Sequence, residues 1–282
     1  MRRVRQICLI AGAFLATAPT SLRASCDGAE QGVSAARRAL AQGHAAAARS
    51  ALSALAASHP ECAPAVALRA QFEAARGNAG EAERLFLRAC NLAPGQPEPF
   101  FQLGVFYDSR QQHGKAAEQF RKVLALAPAD PQAYDYLGLS LEGLGDFGKA
   151  ESAYRMGLAH NKGPRFDPML HYNYGRYLMK QGRLADARRH LDQALELVPE
   201  VRAVHYERAK LAEALGDLEG ARSRAERALA LKDPAGVILD MQVHYLLSRV
   251  YRALGEAELA ARFTKLSQQA EIPMDARRRS GR

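Results

Sequence analysis

The chain has 282 residues, 48% of them hydrophobic, and carries 39 lysines and arginines against 30 acids for a formal charge of +9. That excess sits mainly at the two ends: residues 1–24 hold Arg2, Arg3, Arg5 and Arg23 with no acid, the segment 273–282 holds Asp275 with Arg277, Arg278, Arg279 and Arg282, and the remainder is near +2. A nearly neutral body argues against a nucleic-acid partner, and the absence of H-E-x-x-H, G-x-S-x-G, phosphate-loop and C-x-x-C patterns argues against an enzyme or a cofactor site.

Residues 1–24 read as a secretory signal. The early arginines precede an apolar run from Ile7 to Ala18, interrupted only by Thr17, and Pro19, Thr20 and Ser21 then break it. Leu22 and Ala24 occupy the two specificity positions of a cleavage after Ala24, which predicts a periplasmic or secreted protein. The run is too short to span a bilayer, for which about 20 residues are needed, so no transmembrane segment is expected in the mature chain. Cys26 lies close enough to the cut for lipidation to be the minor alternative, although Arg23 stands where a lipobox wants leucine.

From Ala29 onward the chain repeats. Ala48, Ala82, Ala116, Ala150, Ala187, Ala221 and Ala260 recur at a period in the thirties, and five residues before each stands Gly43, Gly77, Gly145, Gly182, Gly216 or Gly255, with Gln111 in the third place. Glycine permits the tight turn of a helix hairpin, and the alanine lets its second helix lie close against the first. Units that cannot bury their apolar faces alone must stack, which predicts a solenoid. Asp130 before Pro131 and Asp167 before Pro168 pair an N-cap acceptor with a proline at the first helical position, while Pro60, Pro94, Pro128 and Pro199 close second helices. Insertions near Lys162–Phe166 and Ala235–Asp240 stretch two periods and are expected to lengthen loops between units, leaving the helix pairs intact.

The pattern resembles the tetratricopeptide repeat. In the unit from Pro97, Phe100, Leu103, Gly104, Tyr107, Ala116, Phe120 and Pro128 fall on the family's large, small, aromatic and proline positions, and Tyr134, Leu137, Gly138, Leu141, Ala150 and Tyr154 do so from Pro131. Units near residues 29, 63, 168, 202 and 241 bring the number to seven within residues 25–272, followed by a basic tail over 273–282. The unit from Ala29 is mostly alanine, and in the unit from Arg202 Arg208 and Ala225 replace a leucine and an aromatic. The resemblance implies an all-α solenoid, a right-handed superhelix of helix-turn-helix units.

It also implies an inner wall lined by first-helix positions 2, 5, 9, 12 and 13. Position 5 reads Phe101, Asp135, Tyr172, Tyr206 and Tyr245 in the last five units, and position 9 reads Val105, Leu139, Arg176, Lys210 and Arg249. The second half thus aligns tyrosines with cations one turn away, with Asn173, Lys180 and Arg252 nearby. Such a groove suits a protein or extended peptide bearing acidic groups; the other reading of the tyrosines is that they fill contacts between neighbouring first helices. His171, His205 and His244 share the fourth position of their units and are too far apart to hold a common metal.

Three cysteines survive signal cleavage. Cys62 and Cys90 lie at one end of the second hairpin and form the preferred disulfide, with Cys26–Cys62 the competitor and an unbridged chain the third reading. The expectation that follows is a non-enzymatic protein-binding scaffold assisting assembly in the cell envelope. The alternatives are a polysaccharide-binding or secretion accessory protein, or a non-catalytic subunit of an envelope enzyme.

Overall fold

The computed structural model of the protein describes residues 26–162, 167–233 and 236–269. The signal expected over 1–24 and the basic tail expected over 273–282 lie outside them. The described residues form fourteen α-helices and no strand. By internal contacts the chain divides into two compact units, Met1–Phe166 and Asp167–Arg282.

The first unit holds four helix pairs: α1 (Glu30–Ala41) with α2 (Ala45–Ser58), α3 (Ala63–Ala75) with α4 (Ala79–Leu92), α5 (Pro97–Ser109) with α6 (His113–Leu126), and α7 (Pro131–Gly143) with α8 (Phe147–His160). The second holds three: α9 (Leu170–Lys180) with α10 (Leu184–Leu197), α11 (Arg202–Ala214) with α12 (Leu218–Ala230), and α13 (Asp240–Ala253) with α14 (Ala257–Gln269). Within each unit the first helices of successive pairs also touch: α1 meets α3, α3 meets α5, α5 meets α7, α9 meets α11, and α11 meets α13. The expected helix-pair array is therefore present, and both stretched periods fall between pairs.

Local chemistry explains the pairs. The six repeat glycines all turn at φ between +72° and +87°, and Gln111 takes the same left-handed turn at φ +60° in the pair that lacks the glycine. The seven repeat alanines are buried, six of them completely. Close approach at the crossing is set opposite a large ring: a methyl group on Gly104 would stand 2.8 Å from the Phe120 ring, and one on Gly138 2.7 Å from the Tyr154 ring. Second helices stop one residue before the prolines, where His59, Ala93, Ala127 and Val198 sit at φ near −136° with ψ of 60–77°. Proline disfavours helical geometry in the residue before it, so these positions end their helices.

Asp130 caps α7 as expected, accepting hydrogen bonds from the backbone N–H of Gln132 and Ala133 at 3.0 and 3.1 Å. Asp167 acts one step earlier than expected. It accepts from the Met169 N–H at 2.9 Å, shaping a turn through Pro168, and α9 begins only at Leu170.

The preferred disulfide, Cys62–Cys90, is not formed. The bridge joins Cys26 to Cys62, with Cα atoms 4.9 Å apart, and Cys90 is a buried free thiol. Cys26 is not at the point equivalent to Cys62 on the preceding repeat. It lies ahead of Ala29 in a short turn that folds back through Gly28 at φ +82°, bringing it beside the loop before α3. Cys62 itself belongs to the core of the first pair, with Ala36, Ala48, Leu52 and Leu55. Cys90 faces the other way: the charge of Lys122 in the following pair acts on its thiol, whose pKa burial pushes up to about 11.

Candidate binding face of the second unit

The first helices α9, α11 and α13 present the tyrosine and cation rows. In each helix the cation lies over the ring one turn before it. The Arg176 guanidinium carbon stands 5.7 Å from the Tyr172 ring centroid, the Lys210 ammonium 5.5 Å from that of Tyr206, and the Arg249 guanidinium carbon 5.9 Å from that of Tyr245. Three successive first helices thus repeat one cation–π contact, which favours one position for each cation on the face.

The tyrosines are not equally accessible. Tyr172 is buried at 6% exposure, Tyr206 is intermediate, and Tyr245 is 59% exposed. Each earlier helix is followed by another first helix packed against it, whereas α13 belongs to the last described pair. Burial raises the Tyr172 hydroxyl to a pKa of about 12, against the opposing pull of Arg176, and Glu207 of α11 and Asp233 raise it further. Tyr206 is raised for the same leading reason, with Glu207 adding to the effect. Tyr172 therefore fills the α9–α11 contact, the other reading the sequence allowed, and Tyr245 carries the free ring surface.

Acids missed by the sequence reading are built into the face. Lys210 Nζ pairs with Glu207 Oε2 at 2.8 Å, and Arg249 Nη2 reaches back from α13 to Glu213 Oε2 on α11, also at 2.8 Å. Arg176 Nη1 approaches Asn173 Oδ1 at 3.5 Å, with Asn173 largely buried. Glu213 occupies position 12 of its unit, an inner-wall position that the family pattern already marks. Reading that position across units would have found it. Lys210 and Arg249 are thus ion-paired within the face, and a ligand carboxylate must compete for them with Glu207 and Glu213. Lys180 and Arg252 stand exposed in the last turns of α9 and α13.

Phe101, expected in the groove, is instead core of the first unit. It is 9% exposed and packs edge-on to Phe120 and Tyr136 at 5.6 and 5.3 Å between centroids. The three histidines in register meet three different partners. His171 Nδ1 lies 3.0 Å from His190 Nδ1, His205 Nε2 lies 2.8 Å from the Pro199 carbonyl oxygen, and the His244 ring packs against Phe263 at 5.8 Å. Among the described residues no group of three or more His, Cys, Asp or Glu side chains is placed to hold a metal ion. No described helix is long and apolar enough to cross a membrane.

The degenerate α11–α12 pair has its own solution. Arg208, standing where leucine is usual, directs its Nε to Asp192 Oδ1 of α10, and Ala225, in the place of the usual aromatic ring, is fully buried. A cleft of 330 Å³ is lined by Arg208, Ala212, Asp217, Gly220, Ser223 and Arg224.

The tetratricopeptide repeat family profile matches residues 33–97, 105–164 and 172–236. Among solved structures, the chain is similar to PilW, described as a widely conserved type IV pilus biogenesis factor, at 20% identity and a TM-score of 0.64, covering 75% of this chain and 94% of that one. It is similar to Pseudomonas aeruginosa pilF at 18% identity and a TM-score of 0.63, covering 78% of this chain and 97% of that one. A tetratricopeptide repeat protein from Parabacteroides merdae aligns at 17% identity and a TM-score of 0.63, covering 88% of this chain and 94% of that one. At these identities the likeness is one of fold. No curated protein matches the chain.

Proposed function

The chain belongs to the tetratricopeptide-repeat family, and on that premise we propose that it is an exported, non-enzymatic scaffold holding a protein partner on the first-helix face of its second unit, in the service of envelope assembly. The observation that carries this reading is the threefold cation–tyrosine stack ending in the exposed Tyr245. A rigid, half-apolar ring beside a held guanidinium gives contact area at low entropy cost and a bidentate donor for a carboxylate. Export is supported by the order of charge, apolar run and small residues in 1–24. A Cys26–Cys62 bridge suits an oxidising compartment and engages the sulfur that a lipid anchor would require.

The test uses the mature chain as bait for proteins of an envelope extract. Replacing Arg176, Lys210 and Arg249 together by alanine is expected to weaken capture. Lys210 and Arg249 already have carboxylate partners, so a ligand exchanges ion pairs there, and the loss is ~2 kcal/mol in all or about 30-fold in affinity. Glu207→Gln with Glu213→Gln removes the competitors and is expected to strengthen capture. Unchanged affinity in both variants, with helicity intact, contradicts the reading, and retention of glycans but not proteins favours the polysaccharide alternative.

A further inference from the structure

We propose that the first helix pair is a redox-conditional cap, held on the array by the Cys26–Cys62 bridge and released when that bridge is reduced. The bridge spans 36 residues, which include the whole of α1 and α2. What it encloses is poorly equipped to stay in place alone. The buried residues of α1 are Ala36 and Ala39, and those of α2 are Ala48, Leu52 and Leu55. The second pair, by contrast, buries Leu68, Phe72, Leu85 and Phe86. Stabilisation by burial scales with apolar area, and alanine methyls supply little of it.

The remaining attachment is to α3 and the loop before it. His59 Nε2 lies 3.0 Å from the Asp27 carbonyl oxygen, tying the Cys26 turn to the loop that precedes α3. Ala65, Leu68 and Phe72 of α3 complete the apolar cluster to which α1 and α2 contribute. Loss of the first pair uncovers these three side chains and leaves an apolar first-helix face at the amino-terminal end of the array.

The reductant is a dithiol. Its thiolate attacks the Cys26 Sγ, since Cys26 is the partly exposed residue of the pair and Cys62 is 1% exposed. The S–S bond breaks, Cys62 leaves as a thiolate and takes a proton, and the second thiol of the reductant resolves the mixed disulfide. Two electrons pass to the protein as the dithiol becomes a disulfide. Cys90 plays no part, since it is buried against the following pair with its thiol held in the protonated form.

Hydrogen–deuterium exchange of the full mature chain, with and without dithiothreitol, tests this. Reduction is expected to raise amide exchange across residues 30–58 by about 30- to 1,000-fold, the factor that corresponds to losing a native bridge, while helices α4 to α8 and α9 to α14 keep their protection. Cys26→Ser without reductant is expected to give the same map, and Cys90→Ala the map of the oxidised parent. Unchanged exchange in 30–58 on reduction overturns the proposal. So does a loss of protection spread evenly along the chain, which would make the bridge a general brace and not the fastener of one pair.

Discussion

At Gly138 the backbone of α7 approaches so near the Tyr154 ring that a methyl group would stand 2.7 Å from it. The ring is fully buried, and its hydroxyl is held by Glu142, so it has little room to yield. Gly138→Ala is therefore expected to destabilise the protein by about 1–3 kcal/mol through overpacking, read as a lowered urea midpoint. No change would mean that the α7–α8 crossing is looser than described. Glycines and alanines of this kind were legible in the sequence because their roles are set within one hairpin. Tyr172 and Phe101 were not, because whether such a ring is surface or core depends on neighbouring helices. Cys62 was misread for the same reason: its partner was decided by a turn through Gly28 that no repeat pattern encodes.

Among the elements, the α9–α10 pair carries an internal pH dependence. His171 and His190 share a hydrogen bond between ring nitrogens, so one must donate and the other accept, which requires the acceptor to be neutral. Burial lowers the pKa of both, that of His190 to about 4 with His171 as the next cause, and burial also lowers those of His205 and His244. The unfolded chain binds protons below about pH 6.5 while the folded protein resists them. This contribution to stability is complete above that value and is lost as pH falls toward 4. Urea midpoints are expected to drop between pH 7 and pH 5, and the drop is expected to shrink when His171 and His190 are both replaced by leucine. An unaltered pH slope in the double variant would show that the pair takes up protons in the fold as it does in the unfolded chain. The repeat register placed His171 correctly at the fourth position, but nothing in that register pointed to His190 on the facing helix.

At the scale of the whole molecule, the near-neutral repeats carry their charges in internal pairs such as Arg249–Glu213 and Arg202–Asp240, which tie successive first helices of the second unit together. The fold was readable nearly complete, because a period in the thirties with fixed turn and crossing residues leaves few other solutions. The candidate face was only half readable: the sequence showed the cations and rings, but not the acids Glu207 and Glu213 that pair with Lys210 and Arg249. What distinguishes the carboxy-terminal part of that face is that α13 leaves its tyrosine 59% exposed. The most direct measurement replaces Tyr245 with a photo-crosslinking phenylalanine analogue and, as the control, Leu87 of α4, which is 46% exposed in the first unit. After irradiation of the mature chain in envelope extract, discrete protein adducts are expected from position 245 and not from position 87. Adducts from position 87 with none from position 245 would contradict the assignment of the binding face to the second unit.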